Sequence, residues 1–318
     1  MDPMLAIIAD ENHPCLEEEL VLGGCRVIRG WYLKEEDFFS ALRYAHILVL
    51  RSRFRITSAF LDRAPLLKVI GRVGSGMENI DVQAATGKGI RCLNVPEGNA
   101  RAVAEHALGM LLCLLRNIHT AHQEVGKGIW KRKENRGYEL SSFRAGIIGF
   151  GHTGSEFARI LSSLGMPVLA YDKYKKNFSE KGIQECRLEE IFETCNLVSI
   201  HVPYTEETHY MLNKDFFNRF RNPVIVINTS RGKCLNTKDL IAALDAGKVA
   251  GACLDVHEME DATFGSPEKS GWEELQKNLF HRKNVVLTPH IAGWTYESNY
   301  KMSTGIAKKI LSVLRESE

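Results

Sequence analysis

Residues 145–172 constrain the fold more than any other stretch of the chain. The run Ala145–Phe150 has the apolar, β-branched character of a buried strand, and Gly149-Phe150-Gly151-His152-Thr153-Gly154 spells GxGxxG. The residues from Ser155 to Leu164 then carry the spacing of an amphipathic helix. Three glycines between a strand and a helix answer a geometric need. Gly149 permits the tight turn, Gly151 lets backbone amides approach a pyrophosphate, and Gly154 lets the helix pack closely on the strand. The next strand, Val168–Tyr171, ends on Asp172, where an acid accepts hydrogen bonds from the adenosine ribose hydroxyls and repels a 2′-phosphate. A parallel sheet that holds NAD rather than NADP is expected, with His152 and Thr153 at the loop tip beside the phosphates. A glycine turn and a surface aspartate in isolation would say little; the complete βαβ setting carries the inference.

The same alternation extends in both directions. Leu197–Ile200, Val224–Ile227, Ala250–Leu254 and Val285–Leu287 follow as strands, making six in this part of the chain. Earlier, Leu5–Ala9, Ile47–Leu50, Lys68–Val73 and Arg91–Leu93 alternate with the helical patterns Lys34–Arg43 and Ser58–Arg63. A chain of 318 residues exceeds what one core usually supports. The expectation is therefore an α/β protein of two doubly wound parallel-sheet (Rossmann-like) domains with a cleft between them. Residues 1–99 plus 291–318 would form a substrate-binding domain, and residues 100–290 the NAD-binding domain. A long helical pattern runs from Ala100 to Lys127 with Val103, Ala107, Met110, Leu111 and Leu114 on one face, and the closing amphipathic segment Ser298–Arg315 would pack back on the first domain. The polar stretch Glu258–Lys283 lacks periodicity, as a long functional loop would.

Charge and cysteine usage narrow the partners. Lys plus Arg (41) nearly balances Asp plus Glu (39), so no large positive field exists to hold nucleic acid or an anionic membrane, and a small molecule is favoured. The eight cysteines form no CxxC pair and have no histidine spacing suited to zinc, so no metal is expected. The longest apolar stretch, Ala107–Leu115, is too short to span a bilayer, and no charged, apolar and small-residue leader opens the chain; a cytoplasmic location is expected.

A nicotinamide site implies hydride transfer. To reduce a 2-keto acid, a protein must add a cation for the carboxylate and a proton donor for the carbonyl oxygen. Arg231 follows the strand Val224–Ile227 in Asn228-Thr229-Ser230-Arg231-Gly232, at the edge where ligands bind, and its guanidinium can grip a carboxylate in two places. His290 follows Val285-Val286-Leu287-Thr288-Pro289, again at a strand end, and imidazole exchanges protons near neutral pH. Glu260, in the loop after Ala250–Leu254, would accept the other imidazole proton and stabilise imidazolium, with Glu258 as a rival. Taken singly, each has a bland alternative: an arginine in a salt bridge, a satisfied core histidine, a solvated glutamate.

From about Leu48 to the last helix, an ordered series of motifs resembles the D-isomer-specific 2-hydroxy-acid dehydrogenase family. The series comprises Leu50-Arg51-Ser52, the stretch Gly71 to Asp81 (GRVGSGMENID), Pro96-Glu97-Gly98-Asn99, the glycine loop, His201-Val202-Pro203, Asn228 to Gly232, Gly251 to Val256 (GACLDV) and Thr288-Pro289-His290. The resemblance implies that Arg231 anchors and polarises the substrate, that His290 is the acid–base residue, and that Glu260 orients it. It likewise implies cofactor contacts by Ser75, Val202, Thr229, Ser230 and Asp255, the last near the nicotinamide. The amides of the Val73–Gly76 turn, Val73 and Gly74 among them, would receive the substrate carboxylate.

Within the family the first half is most similar to the phosphoglycerate dehydrogenase branch, which implies that Arg51 and Arg72 lie beside a phosphorylated substrate; Arg53 and Arg55 are equally available. His290-Ile291-Ala292-Gly293-Trp294-Thr295 is similar to the erythronate-4-phosphate branch. Two departures concern the histidine's partner: Glu260 is followed by Asp261 where the family usually has proline, and the polar loop before His290 is longer than usual. A C-terminal regulatory module is not expected. The resemblance implies a small 2-hydroxy or 2-keto acid as partner, and a homodimer with the Ala100–Lys127 helix as seam. A glyoxylate or hydroxypyruvate reductase remains the alternative, as does an NADH-sensing co-repressor.

Overall fold

The computed structural model describes residues 3–260, 273 and 276–316. These fall into two compact units, residues 3–99 with 294–316 and residues 100–260 with 276–293.

The first unit is built on five parallel strands, β1 (Leu5–Ile8), β2 (Arg26–Arg29), β3 (Ile47–Leu50), β4 (Val69–Arg72) and β5 (Arg91–Leu93), in the order β2-β1-β3-β4-β5. Four helices connect them: α1 (Cys15–Leu22), α2 (Glu35–Leu42), α3 (Ser58–Leu61) and α4 (Val82–Gly87). β3 and β4 are buried along their whole length, as parallel strands covered on both faces must be. One face packs Ile7, Leu48 and Ile70 against Phe38, Leu42 and Phe60. The other packs Ile8, Val49 and Val69 against Leu16 and Leu20 of α1 and against Ile306, Ile310 and Val313 of the last helix, Tyr296–Glu316. That helix comes so close that a Cβ on Gly71 would lie 2.9 Å from Ile306. α1, β2 and α4 were not apparent in the sequence: β2 is a four-residue edge strand with two arginines and no fully buried side chain.

The second unit carries seven parallel strands. They are β6 (Ala145–Ile148), β7 (Val168–Tyr171), β8 (Ile183–Glu185), β9 (Leu197–Ile200), β10 (Val224–Asn228), β11 (Val249–Leu254) and β12 (Val285–Leu287), ordered β12-β11-β10-β9-β6-β7-β8. β8 adds an edge strand to the six expected. It has three residues, of which only Ile183 is buried, so it offers almost no pattern.

The Ala100–Lys127 pattern is not one helix but two, α5 (Ala100–Leu115) and α6 (Ile118–Gly126), separated at Asn117, whose φ of 52° is left-handed. Asparagine visits that conformation more readily than residues with larger side chains. The chain later returns to the break, where the Tyr138 N–H donates to the Leu115 carbonyl at 2.9 Å. α5 packs on α7 (His152–Ser163) and on β11. Other α-helices of the unit among the described residues include α8 (Leu188–Thr194), α9 (Lys214–Asn218) and α10 (Thr237–Asp245). Of the polar stretch Glu258–Lys283, residues 261–272 and 274–275 lie outside the described residues.

Candidate active site

Between β6 and β9 the winding of the second sheet reverses, which opens a crevice at the carboxyl ends of those two strands. The glycine loop stands there. Gly149 follows β6 directly with φ of 93°, and a Cβ on it would lie 2.4 Å from the His201 carbonyl oxygen and 3.1 Å from Cγ1 of Val202. A Cβ on Gly154 would meet the Gly149 carbonyl at 2.0 Å, so both positions exclude any side chain. Around Gly151 there is open space, with nothing within 4 Å of the place a Cβ would occupy. α7 starts at His152, so the amides of His152 and Thr153 form the positive end of a twelve-residue helix facing that space. This cradle fits a dinucleotide pyrophosphate. Deeper in the unit, Oγ1 of Thr229 is buried without a hydrogen-bond partner, a second polar group suited to a bound cofactor.

Asp172 directly follows β7. Its carboxylate accepts the N–H groups of Phe150 (2.8 Å), Tyr174 (2.9 Å) and Lys175 (2.9 Å), which ties the β7 end to the glycine loop. Partial burial works against the charge, but these donors and the Lys175 ammonium outweigh it and hold the carboxyl below its ordinary range. An ionised acid is therefore fixed where an adenosine ribose would lie.

The residues expected to form an acid–base group gather at the ends of the neighbouring strands β10, β11 and β12. His290 Nδ1 lies 2.6 Å from Glu260 Oε2, while Glu260 Oε1 accepts the His257 N–H at 2.5 Å. Glu258 is engaged elsewhere: it accepts a hydrogen bond from the Tyr210 hydroxyl and, at 2.9 Å, from the Thr237 N–H. Arg231 lies half-buried after β10, with Nη1 donating to the Ser230 carbonyl at 2.6 Å. Ser230 is tied by its N–H and hydroxyl to Asn228 Oδ1.

Asp255, only 1 % exposed, spends its carboxylate on the protein. It accepts the Thr288 hydroxyl (2.6 Å) and the N–H groups of Ile291 and Ala292 (2.9 Å each), and His106 Nε2 stands 3.5 Å away. Burial alone would raise its pKa; those donors hold it down at about 2. His290 itself has φ of 56°, and its N–H donates to the Asp255 carbonyl at 2.7 Å. Asp255 thus fastens the segment that carries the histidine.

Sequence reasoning missed His106, whose Nε2 lies 3.0 Å from the Thr288 hydroxyl, and His257, whose Nε2 lies 2.9 Å from the Thr288 carbonyl. The signal for His106 was present, a histidine one residue before the buried Ala107 on an otherwise apolar helix face.

In the first unit, the four arginines near the motifs separate by environment. Arg53 is locked by the carbonyls of Ala9, Gly30 and Leu33. Arg72 is buried and donates to the Gly76 carbonyl at 2.7 Å, bracing the 73–76 turn from beneath. Arg55 is exposed, and Arg51 lies half-buried over the Trp294 ring at 4.4 Å. In the turn, the N–H groups of Val73 and Gly74 donate to the Leu50 and Arg72 carbonyls (both 2.9 Å), while the Ser75 carbonyl accepts from the Asn94 side chain at 2.6 Å.

No helix among the described residues is long and apolar enough to cross a membrane. Residues 108–292 match the family model described as D-isomer specific 2-hydroxyacid dehydrogenase, NAD binding domain. The chain is 33 % identical over 311 residues to D-3-phosphoglycerate dehydrogenase of Pongo abelii, covering 97 % of this chain but 56 % of that protein. The chain thus spans little more than half the length of that relative. It is 34 % identical over 283 residues to hydroxypyruvate reductase of Thermotoga maritima, covering 89 % of each. Its fold resembles the crystal structure of D-lactate dehydrogenase from Aquifex aeolicus complexed with NAD and lactic acid, with a TM-score of 0.81, 29 % identity and 98 % and 96 % coverage. On the family match, the two relatives and the site geometry together, the chain belongs to the D-isomer-specific 2-hydroxyacid dehydrogenase family.

Proposed function

We propose that this chain is an NAD-dependent dehydrogenase that interconverts a small D-2-hydroxy acid and its 2-keto acid. The observation that carries the reading is the 2.6 Å contact between His290 Nδ1 and Glu260 Oε2, at the carboxyl edge of the sheet that also bears the glycine loop. An ionised carboxylate only accepts, so the Glu260 contact fixes a proton on Nδ1 and makes Nε2 the atom that exchanges the substrate proton. In the reducing direction His290 donates from Nε2 to the carbonyl oxygen, and Glu260 stabilises the imidazolium that precedes this step. In the reverse direction neutral His290 takes the hydroxyl proton. Bound nicotinamide supplies or accepts the hydride at C2. Arg231 grips the carboxylate and polarises the carbonyl.

The second unit is assigned NAD binding, and the first is assigned substrate contacts by Arg51, Arg72 and the 73–76 turn. Since Val73 and Gly74 donate inside the fold, the amides offered to the substrate carboxylate are those of Ser75 and Gly76. A phosphorylated acid is favoured by the similarity to phosphoglycerate dehydrogenase, and an unphosphorylated one by the similarity to hydroxypyruvate reductase. A homodimer is supported by the exposed apolar side chains Ile118, Val125, Ile129, Trp130 and Tyr138 on and after α6. A cytoplasmic location is part of the same reading.

The test is NADH oxidation with a panel of 2-keto acids (phosphohydroxypyruvate, hydroxypyruvate, glyoxylate, pyruvate), with His290→Ala in parallel. Loss of an acid–base group costs on the order of 10²–10⁴ in kcat, so the variant should be nearly silent with the preferred acid. Tight NADH binding without turnover of any acid would instead support the co-repressor reading.

A further inference from the structure

The acid that follows β7 is itself followed at once by cations, in Asp172-Lys173-Tyr174-Lys175-Lys176. The two signals pull in opposite directions. A carboxylate at that strand end repels a 2′-phosphate, whereas a cation beside it accommodates one.

The fold resolves the conflict by where it sends each ammonium. Lys175 Nζ donates to the Phe150 carbonyl at 2.9 Å and Lys176 Nζ to the Asp172 carbonyl at 3.4 Å, so both turn back on the backbone. Lys173 Nζ instead donates to Glu207 Oε1 at 2.5 Å, and the Tyr174 hydroxyl donates to Glu207 Oε2 at 2.7 Å. One carboxylate thus engages two neighbouring side chains of the β7 loop, and their hydrogen bonds hold the Glu207 carboxyl below its ordinary range, in its charged form.

Glu207 comes from the segment after β9. In the sheet β6 lies between β7 and β9, so the contact joins the two sides of the β6 end, where the glycine loop stands. The segment is tied down by its own hydrogen bonds. The Thr208 hydroxyl donates to the Pro203 carbonyl at 2.7 Å, and the His209 N–H donates to the Thr205 carbonyl at 2.9 Å. The Lys173 and Glu207 side chains are each about half exposed, and such a pair adds little to stability. What it does decide is which charge an incoming anion meets beside Asp172.

We propose that Glu207 is a specificity-determining residue for the cofactor: it withholds the Lys173 ammonium from the adenosine ribose, so that the Asp172 carboxylate sets the response to a 2′-phosphate. The inference rests on the NAD-binding reading of the second unit and adds to it a residue from a different loop.

The experiment reads cofactor affinity directly, by nicotinamide fluorescence on the full chain, for NADH and NADPH. Wild type, Glu207→Gln, Lys173→Ala and the double variant are compared. Glu207→Gln should raise the affinity for NADPH relative to NADH on the order of two- to fivefold, the range expected from releasing one exposed charge. Lys173→Ala alone should bring no such gain, and in the double variant the gain of Glu207→Gln should disappear. Because both partners are exposed, the gain should also shrink as salt is added.

Three results would overturn the proposal. An unchanged preference in Glu207→Gln, with the two affinities steady or moving together, would mean that the contact only ties two loops. A gain that survives in the double variant would mean that Glu207 acts by its own charge, without Lys173. A gain indifferent to salt would report a change of shape rather than of charge. The measurement needs no substrate and so stays separable from turnover. If wild type binds NADH but reduces no acid, the dehydrogenase reading fails and these affinities still decide the role of Glu207. If it binds neither cofactor, both readings fail.

Discussion

Among the candidate site residues of the second unit, Asp255 is held by several hydrogen bonds at once. Three donors reach its carboxylate within 3 Å, and its backbone carbonyl holds the N–H of His290 in a left-handed conformation. Asparagine in its place would present an NH₂ group to one of those donors. Asp255→Asn should therefore destabilise the fold by roughly 2–3 kcal/mol, the size of one lost charged hydrogen bond and a buried donor left unmatched. It should also lower kcat more than it weakens NADH binding, because the segment carrying His290, the proposed acid–base residue, loosens while the glycine loop is untouched. Urea unfolding and a kcat against Kd comparison check both parts, and an unchanged kcat would show that the segment holds itself. The placement of Arg231, Asp172 and His290 just after strands was legible, because strand ends are visible in sequence. The choice between Glu258 and Glu260 was not. The two stand two residues apart in one turn, and only the folded turn sends one to Tyr210 and the other to His290.

At the scale of elements, periodicity carried most of the second sheet and failed where an element is short or interrupted without a break in apolar spacing. The α5–α6 junction is the clearest case, because the apolar face of α5 ends on Leu114 and Leu115 and α6 resumes at Ile118, so no gap marks Asn117. A left-handed residue there turns the chain while α5 stays packed on α7. Glycine, and to a lesser degree asparagine and aspartate, hold that conformation at low cost. Asn117→Gly should change stability by only a few tenths of a kcal/mol, since it gives up just a 3.4 Å contact from Nδ2 to the Arg136 carbonyl. Asn117→Val should cost ~1–2 kcal/mol in urea unfolding. A valine variant as stable as wild type would mean that α5 and α6 can run on as the single helix the spacing suggested.

For the whole molecule, the strand–helix alternation announced two parallel sheets, and each carries candidate site residues just beyond the carboxyl ends of its strands. What alternation cannot announce is which polar groups the folded units bury, and these set the response to acid. His201 is buried against Phe157 with Nε2 2.8 Å from the Ser199 hydroxyl, and burial pushes its pKa down to about 4. Unfolded, it would titrate near ~6.5, so between those values the unfolded chain binds the extra proton and stability falls as the pH falls. The loss over that window is ~3 kcal/mol, and it is complete below the folded value. Asp255 acts next in the same direction: its carboxyl, held at about 2 in the fold against an ordinary value of 3.8, gives up ~2 kcal/mol as the pH drops through that lower window. Acid should therefore weaken the second unit in two steps. Hydrogen exchange at the amides of β6 and β9, followed from pH 7 to pH 4, should report the first as a steady decline in opening free energy after correction for intrinsic exchange. His201→Gln, which removes the titrating group, should flatten that decline even if it lowers stability throughout. A decline equally steep in the variant would mean that some other group takes up the proton.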